Sequence, residues 1–215
     1  MKSDKMIKNM VILAMLTAIS YTIVALIRIP VAGFLSYEPK DVVITIGGFL
    51  LGPLASFIVS ALVSLIEMVT FSTTGPIGCL MNLLSTCSFA CTAALIYKKK
   101  RTLGGAITGL AVGTVAMTGV MLLWNWLITP LYMGVSRDAV EAMLLPTFLP
   151  FNLLKAGLNT AFVLGLYKPL VLALRKAQLV APQEGKSRSK IGVYLLSAGL
   201  LATCIFLMLV FMGKI

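Results

Sequence analysis

No histidine occurs anywhere in the chain, and acidic residues number only 7 against 18 lysines and arginines. The first absence excludes a histidine-based proton relay, a Ser-His-Asp triad and an imidazole metal site. Other signatures are missing too. There is no GxxxxGK[ST] phosphate loop, so the chain does not itself hydrolyse ATP by that route. No serine or cysteine stands beside a base, and no carboxylates cluster as they do around a metal, so neither an enzyme nor a resident cofactor is expected. The four cysteines, Cys79, Cys87, Cys91 and Cys204, lie in apolar runs without a CxxC or a ligand cluster and read as packing residues. No internal repeat, direct or inverted, is visible. Charged residues make up 12% of the chain, about half of what a soluble domain carries.

What is present is apolar surface. Hydrophobic residues make up 59% of 215, mean hydropathy is +1.01, and several runs reach the ~20 residues that cross a bilayer as a helix. The fold class this implies is all-α, a polytopic membrane helical bundle with no soluble domain. A net charge of +11 could suggest nucleic acid, but the basic residues sit at the ends of apolar segments. That is how topology signals are placed at an anionic cytoplasmic leaflet, so the expected partner is the lipid membrane and not nucleic acid. The first apolar run follows Lys2, Lys5 and Lys8 but is too long for a signal peptide and shows no small-residue cleavage site before Arg28.

Taken in order, residues 7–29 read as the first span, with Ala14 and Ala18 as a small-xxx-small pair that lets another helix approach. Residues 28–40 carry two prolines and a glycine yet are apolar, with Phe34, Leu35 and Tyr37, and suggest a lid more than a plain connector. Charge bias divides residues 41–71. Lys2, Lys5 and Lys8 share the cytoplasmic side with Lys98-Lys99-Lys100-Arg101 only after an even number of crossings, which requires two pieces, 41–51 and 53–71, broken at Gly52-Pro53. The first piece is too short to face lipid throughout and should sit shielded among its neighbours.

Helices follow at 79–97 and 104–128, the second with Gly105, Gly109 and Gly113 as a packing seam. Trp124 and Trp126 read as interfacial belt residues, and residues 131–146 as the longest outer loop. A span at 147–174, a basic linker at 175–190 and a last run at 191–212 complete seven apolar segments.

Polar residues inside these segments mark the candidate site. Asn152, Lys155 and Asn159 are three and four residues apart and share one helical face. A cation at the bilayer midplane costs about 2.5 to 3.5 kcal/mol, so Lys155 must snorkel to the headgroups, close an ion pair or floor a small-molecule site. Asn82 and Asn125 lie at the same outer level, as does Glu67, which is close enough to its helix end for a Glu67–Lys155 contact. Glu67 reads as the one plausible intramembrane acid. Amides offer a donor and an acceptor in one plane and an ammonium three donors. That set suits a neutral, flat, multi-carbonyl heterocycle better than a dianion, with the apolar lid over its faces.

Leu35 to Pro53 (LSYEPKDVVITIGGFLLGP), Ser72 to Asn82 (STTGPIGCLMN), Asn125 to Gly134 (NWLITPLYMG) and Pro146 to Asn159 (PTFLPFNLLKAGLN) together resemble the riboflavin-specific S components of energy-coupling factor transporters. The resemblance covers most of residues 7–174. It implies a six-helix vitamin-binding core over 1–174 in a bacterial cell membrane, multi-pass with the N-terminus cytoplasmic, and riboflavin as a transported ligand. It also implies docking on a transmembrane coupling subunit driven by two ATPase subunits. Carried over residue by residue, the flavin-binding amide falls on Asn125, the Asn and Lys one turn apart on Asn152 and Lys155, and the AxxxA docking motif on Ala14 and Ala18. The gate loop falls around Leu35, Tyr37 and Glu38; Asn82, from its place near the outer end of its helix and not from the resemblance, is a further substrate-binding candidate. Residues 191–215 depart from the pattern as an additional transmembrane segment. The competing expectation is a self-sufficient secondary transporter for riboflavin or a related vitamin.

Overall fold

The computed structural model describes residues 2–33, 35–72, 74–176 and 191–214. Helix α1 (Lys2–Leu26) leads into a small antiparallel hairpin, β1 (Ile29–Ala32) and β2 (Leu35–Tyr37). Then come α2 (Lys40–Leu51), α3 (Pro53–Thr70), α4 (Gly75–Lys99), α5 (Leu103–Met133) and the short α6 (Arg137–Met143). A π-helical turn, Leu144–Phe148, continues into α7 (Leu149–Lys176), and α8 (Ile191–Phe211) closes the order. The protein is an all-α membrane bundle in which six helices are long and apolar enough to cross a bilayer among the described residues. The linker expected at 175–190 falls almost wholly outside the described residues.

The break at Gly52-Pro53 has a simple cause. Gly52 sits at φ 103°, in the region open to glycine, and Pro53 starts α3 where a missing N–H costs nothing. The 12 residues of α2 reach about 18 Å at 1.5 Å each, too little to span. Most of its side chains are buried, and it packs against α1, α3, α4 and α7. Its short length therefore places Lys40 and Asp41 inside the bundle.

Several expected boundaries shift. The first helix stops at Leu26, and the residues read as an irregular lid pair as a hairpin turned at Gly33, φ 52°. Alternating Ile29, Val31, Leu35 and Tyr37 give that hairpin one apolar side. The fifth helix runs on to Met133, accommodating Pro130 in its last turn, and ends at Gly134 in the left-handed conformation. Residues 131–146 are not a loop. Ser136 caps α6 by accepting from the Ala139 N–H at 3.3 Å, and Asp138 occupies the favourable first turn.

Helices α4 and α5 form the most extensive pair. A Cβ on Gly109 or Gly113 would meet the Ala93 or Phe89 carbonyl oxygen at 2.7 Å, so the glycine seam lets the two backbones close. Ala14 and Ala18, by contrast, lie exposed on the outward face of α1 among Met10, Met15 and Ile19. We expect Gly113→Leu to lower the unfolding temperature of detergent-solubilised protein, through overpacking of about 1–3 kcal/mol or more. Gly119→Ala, which meets open space, should leave that temperature unchanged.

Candidate functional site

The hairpin, the α3–α4 turn and helices α4, α5 and α7 enclose a cavity of about 520 Å³ at the end of the bundle opposite Lys98 and Lys99. On α5 its wall is Met121, Trp124, Asn125, Ile128, Thr129 and Tyr132, a run at i, i+3, i+4, i+7 that turns one stripe inward. Trp124 is thus half-buried in the cavity wall and not a free belt residue, because it shares the stripe of Asn125. Trp126 points elsewhere. Its indole N–H donates to Glu141 Oε1 at 2.8 Å, under the Arg137 guanidinium.

From α7 come Phe151, Asn152 and Lys155; from α4, Met81, Asn82 and Ser85; from the hairpin side, Arg28, Leu35 and Glu38. Asn125 donates one amide hydrogen to the Met121 carbonyl at 2.7 Å and accepts from the Thr129 hydroxyl at 2.9 Å. Asn152 donates to the Phe148 carbonyl at 2.7 Å. These bonds orient both amides, and each nitrogen carries a second hydrogen. Tyr37 does not line the cavity. It is buried behind it, its hydroxyl donating to Asn159 Oδ1 at 3.1 Å, which ties the hairpin to α7.

The expected Glu67–Lys155 contact does not form. Lys155 Nζ lies 3.3 Å from Asp41 Oδ2 and donates to Ser85 at 3.4 Å, while Glu67 takes Lys40 at 2.5 and 2.7 Å and the Asn82 amide at 3.1 Å. Nor is Glu67 the one intramembrane acid, since Asp41 is wholly buried. Both corrections have one source. Lys40 and Asp41 were read as the border of a helix, whereas the short α2 carries them into the interior. A charge pair opening a segment too short to span was the signal available.

Asp41 joins α2 to α4 and α7. Besides Lys155, it accepts from Thr86 at 2.7 Å and from Asn159 at 3.3 Å. Glu38 bridges Arg28 and Lys40, each at 2.8 Å. Burial alone would raise the Glu38 pKa, but the adjoining Lys40 ammonium, with Lys155 and Arg28, outweighs it and holds the carboxyl below the usual carboxylate range. The three cations Arg28, Lys40 and Lys155 balance the three carboxylates Glu38, Asp41 and Glu67, so the formal charge around the cavity is 3 − 3 = 0. Such a cavity favours a neutral ligand.

Residues 8–167 match the family described as ECF transporter, substrate-specific component. The chain belongs to that family. This S component is 30% identical over 178 residues to the riboflavin transporter RibU of Staphylococcus aureus (strain TCH60), covering 79% of this chain and 93% of the relative. It is 29% identical over 161 residues to the riboflavin transporter FmnP of Bacillus subtilis (strain 168), covering 69% and 84%. Among solved structures, one described as the S component of a bacterial ECF transporter aligns with a TM-score of 0.66 at 30% identity, over 78% of this chain and 98% of that one. The matched family region stops short of α8.

Asp41→Asn strips Lys155 of its counter-charge, and we expect it to destabilise the S component by about 3–5 kcal/mol. Asp41→Asn with Lys155→Met should recover most of that loss. Thermal unfolding of the single and double variants in one detergent reads the difference, and equal losses in both would show that the pair is not the cause.

Proposed function

We propose that this S component captures riboflavin in the 520 Å³ cavity, at the extracellular face of a bacterial cell membrane, with its N-terminus in the cytoplasm. The observation that carries the reading is a charge-balanced cavity whose polar lining includes oriented amides and one ammonium. An ammonium has three hydrogens; Asp41 and Ser85 engage two of them, and the third is available to a ring carbonyl. Asn125 and Asn152 supply the in-plane hydrogen bonds along the same edge, with Lys155. Asn82, oriented by Glu67, lies on the facing helix. Leu35 covers the ring face, and Glu38 and Tyr37 hold the hairpin over it. The volume lies within the range of about 300–1,000 Å³ in which small-molecule sites fall.

Two relatives named as riboflavin transporters support the choice of ligand. Residues 1–174 form the vitamin-binding core in this reading, 175–190 a cytoplasmic linker and 191–215 an added transmembrane segment. Uptake then requires a transmembrane coupling subunit, which the exposed Ala14 and Ala18 admit to α1, and two ATPase subunits. The buried carboxylates Asp41 and Glu67 are held by cations, which disfavours their use as proton carriers in a self-sufficient transporter.

Fluorescence titration of detergent-purified protein with riboflavin tests the proposal. Saturable quenching is expected, weakened about tenfold or more in Asn125→Ala and in Lys155→Ala. Absence of binding by folded wild type would overturn the assignment. Uptake into vesicles lacking ATP and partner subunits would instead favour the self-sufficient transporter.

A further inference from the structure

Helix α8 lies beyond the family region, yet it does not drift free in the lipid. One stripe, Ser197, Leu201, Cys204, Met208 and Phe211, alternates four and three residues apart and turns inward, while Leu195 and Phe206 face outward. Its seat on α7 is Gly157, Ala161 and Gly165, each four residues from the next. Ser197 donates to the Ala161 carbonyl at 2.8 Å, and Cβ atoms at Gly157 and Gly165 would stand 2.7 Å from Cys204 Sγ and 3.0 Å from Ser197 Oγ. Small residues on one helix thus receive a defined stripe of the other.

The far end of that stripe, still beside Phe151, Leu154 and Leu158 of α7, also reaches the hairpin. Helix α8 touches β1, and Cys204, Met208 and Phe211 share one apolar cluster with Val31, Leu35 and Tyr37. Among the hairpin's anchors are a polar one, Tyr37 to Asn159, and an apolar one, the end of α8 within the cluster it shares with α7.

We propose that α8 is a brace on the hairpin, with Cys204, Met208 and Phe211 acting as positioning residues that resist its opening. The hairpin side lines the cavity through Leu35, Ser36 and Glu38, so a brace that resists its opening slows both entry and exit of a ligand. Loosening it raises the association and the dissociation rates together, and equilibrium affinity moves less than either. A damaged binding site would behave differently, losing affinity with no gain in association rate. The inference rests on the riboflavin reading only for that kinetic measurement.

The test uses full-length protein and two variants, Met208→Ala/Phe211→Ala and Cys204→Trp, with Phe206→Ala as the outward-facing control. Stopped-flow fluorescence should show riboflavin release quickened about tenfold in both variants and within about twofold of wild type in the control. Hydrogen exchange at the Ile29, Val31 and Tyr37 amides should quicken in parallel, with or without flavin. Wild-type exchange and release rates in whichever variants fold would overturn the brace, as would slower association with lost affinity. Failure of the wild type to bind riboflavin would sink the flavin assignment alone, since the exchange rates still report on the hairpin.

Discussion

The buried pairing of Asp41 with Lys155 is the constraint on which the site depends. An ammonium in a low-dielectric interior is tolerated only beside a counter-charge and with its remaining hydrogens directed at acceptors. Here the counter-charge comes from α2 and the ammonium from α7, so the pair draws together helices more than a hundred residues apart in sequence. Asp41 also takes Thr86 of α4 and Asn159 of α7. Removing that one carboxylate would take an acceptor from three partners at once and leave Lys155 with Ser85 alone.

A second consequence concerns ligand charge. Each cation near the cavity already has a carboxylate, in a chain running from Arg28 through Glu38 and Lys40 to Glu67 and Asn82. The network leaves donors without leaving net charge. A neutral heterocycle exploits this, since it needs directional hydrogen bonds and would gain little from an unbalanced field. The same network joins the α1 end, the start of α2 and the ends of α3 and α4, so it holds the cavity mouth together as well as setting its electrostatics.

The fold class, the number of apolar segments and the break at Gly52-Pro53 were legible in the chain, because hydropathy, charge bias and proline each act locally. So was the glycine seam of α5, whose four-residue spacing has one physical use. Asn125, Asn152 and Lys155 stood out because polar groups inside apolar runs are expensive. Trp124 was misread for the opposite reason: a tryptophan near a helix end is common at a membrane interface, and only the inward stripe it shares with Asn125 shows which way it faces. The hairpin was visible as an unusual apolar loop but not as paired strands, because the pairing of Ile29 with Tyr37 is a contact between segments that no local pattern marks.

By itself, then, the sequence determined which long segments are helical and roughly where Asn125, Asn152 and Lys155 lie along them, since periodicity and transfer cost operate within one segment. Tertiary structure alone decided the partners. Depth along the bundle axis leaves rotation about each helix and neighbour choice free, so the chain pointed to Glu67 as the partner of Lys155 while Asp41 takes that place. Packing resolved the choice by seating α2 between α3, α4 and α7, which turned Lys40 toward Glu67 and Asp41 toward Lys155.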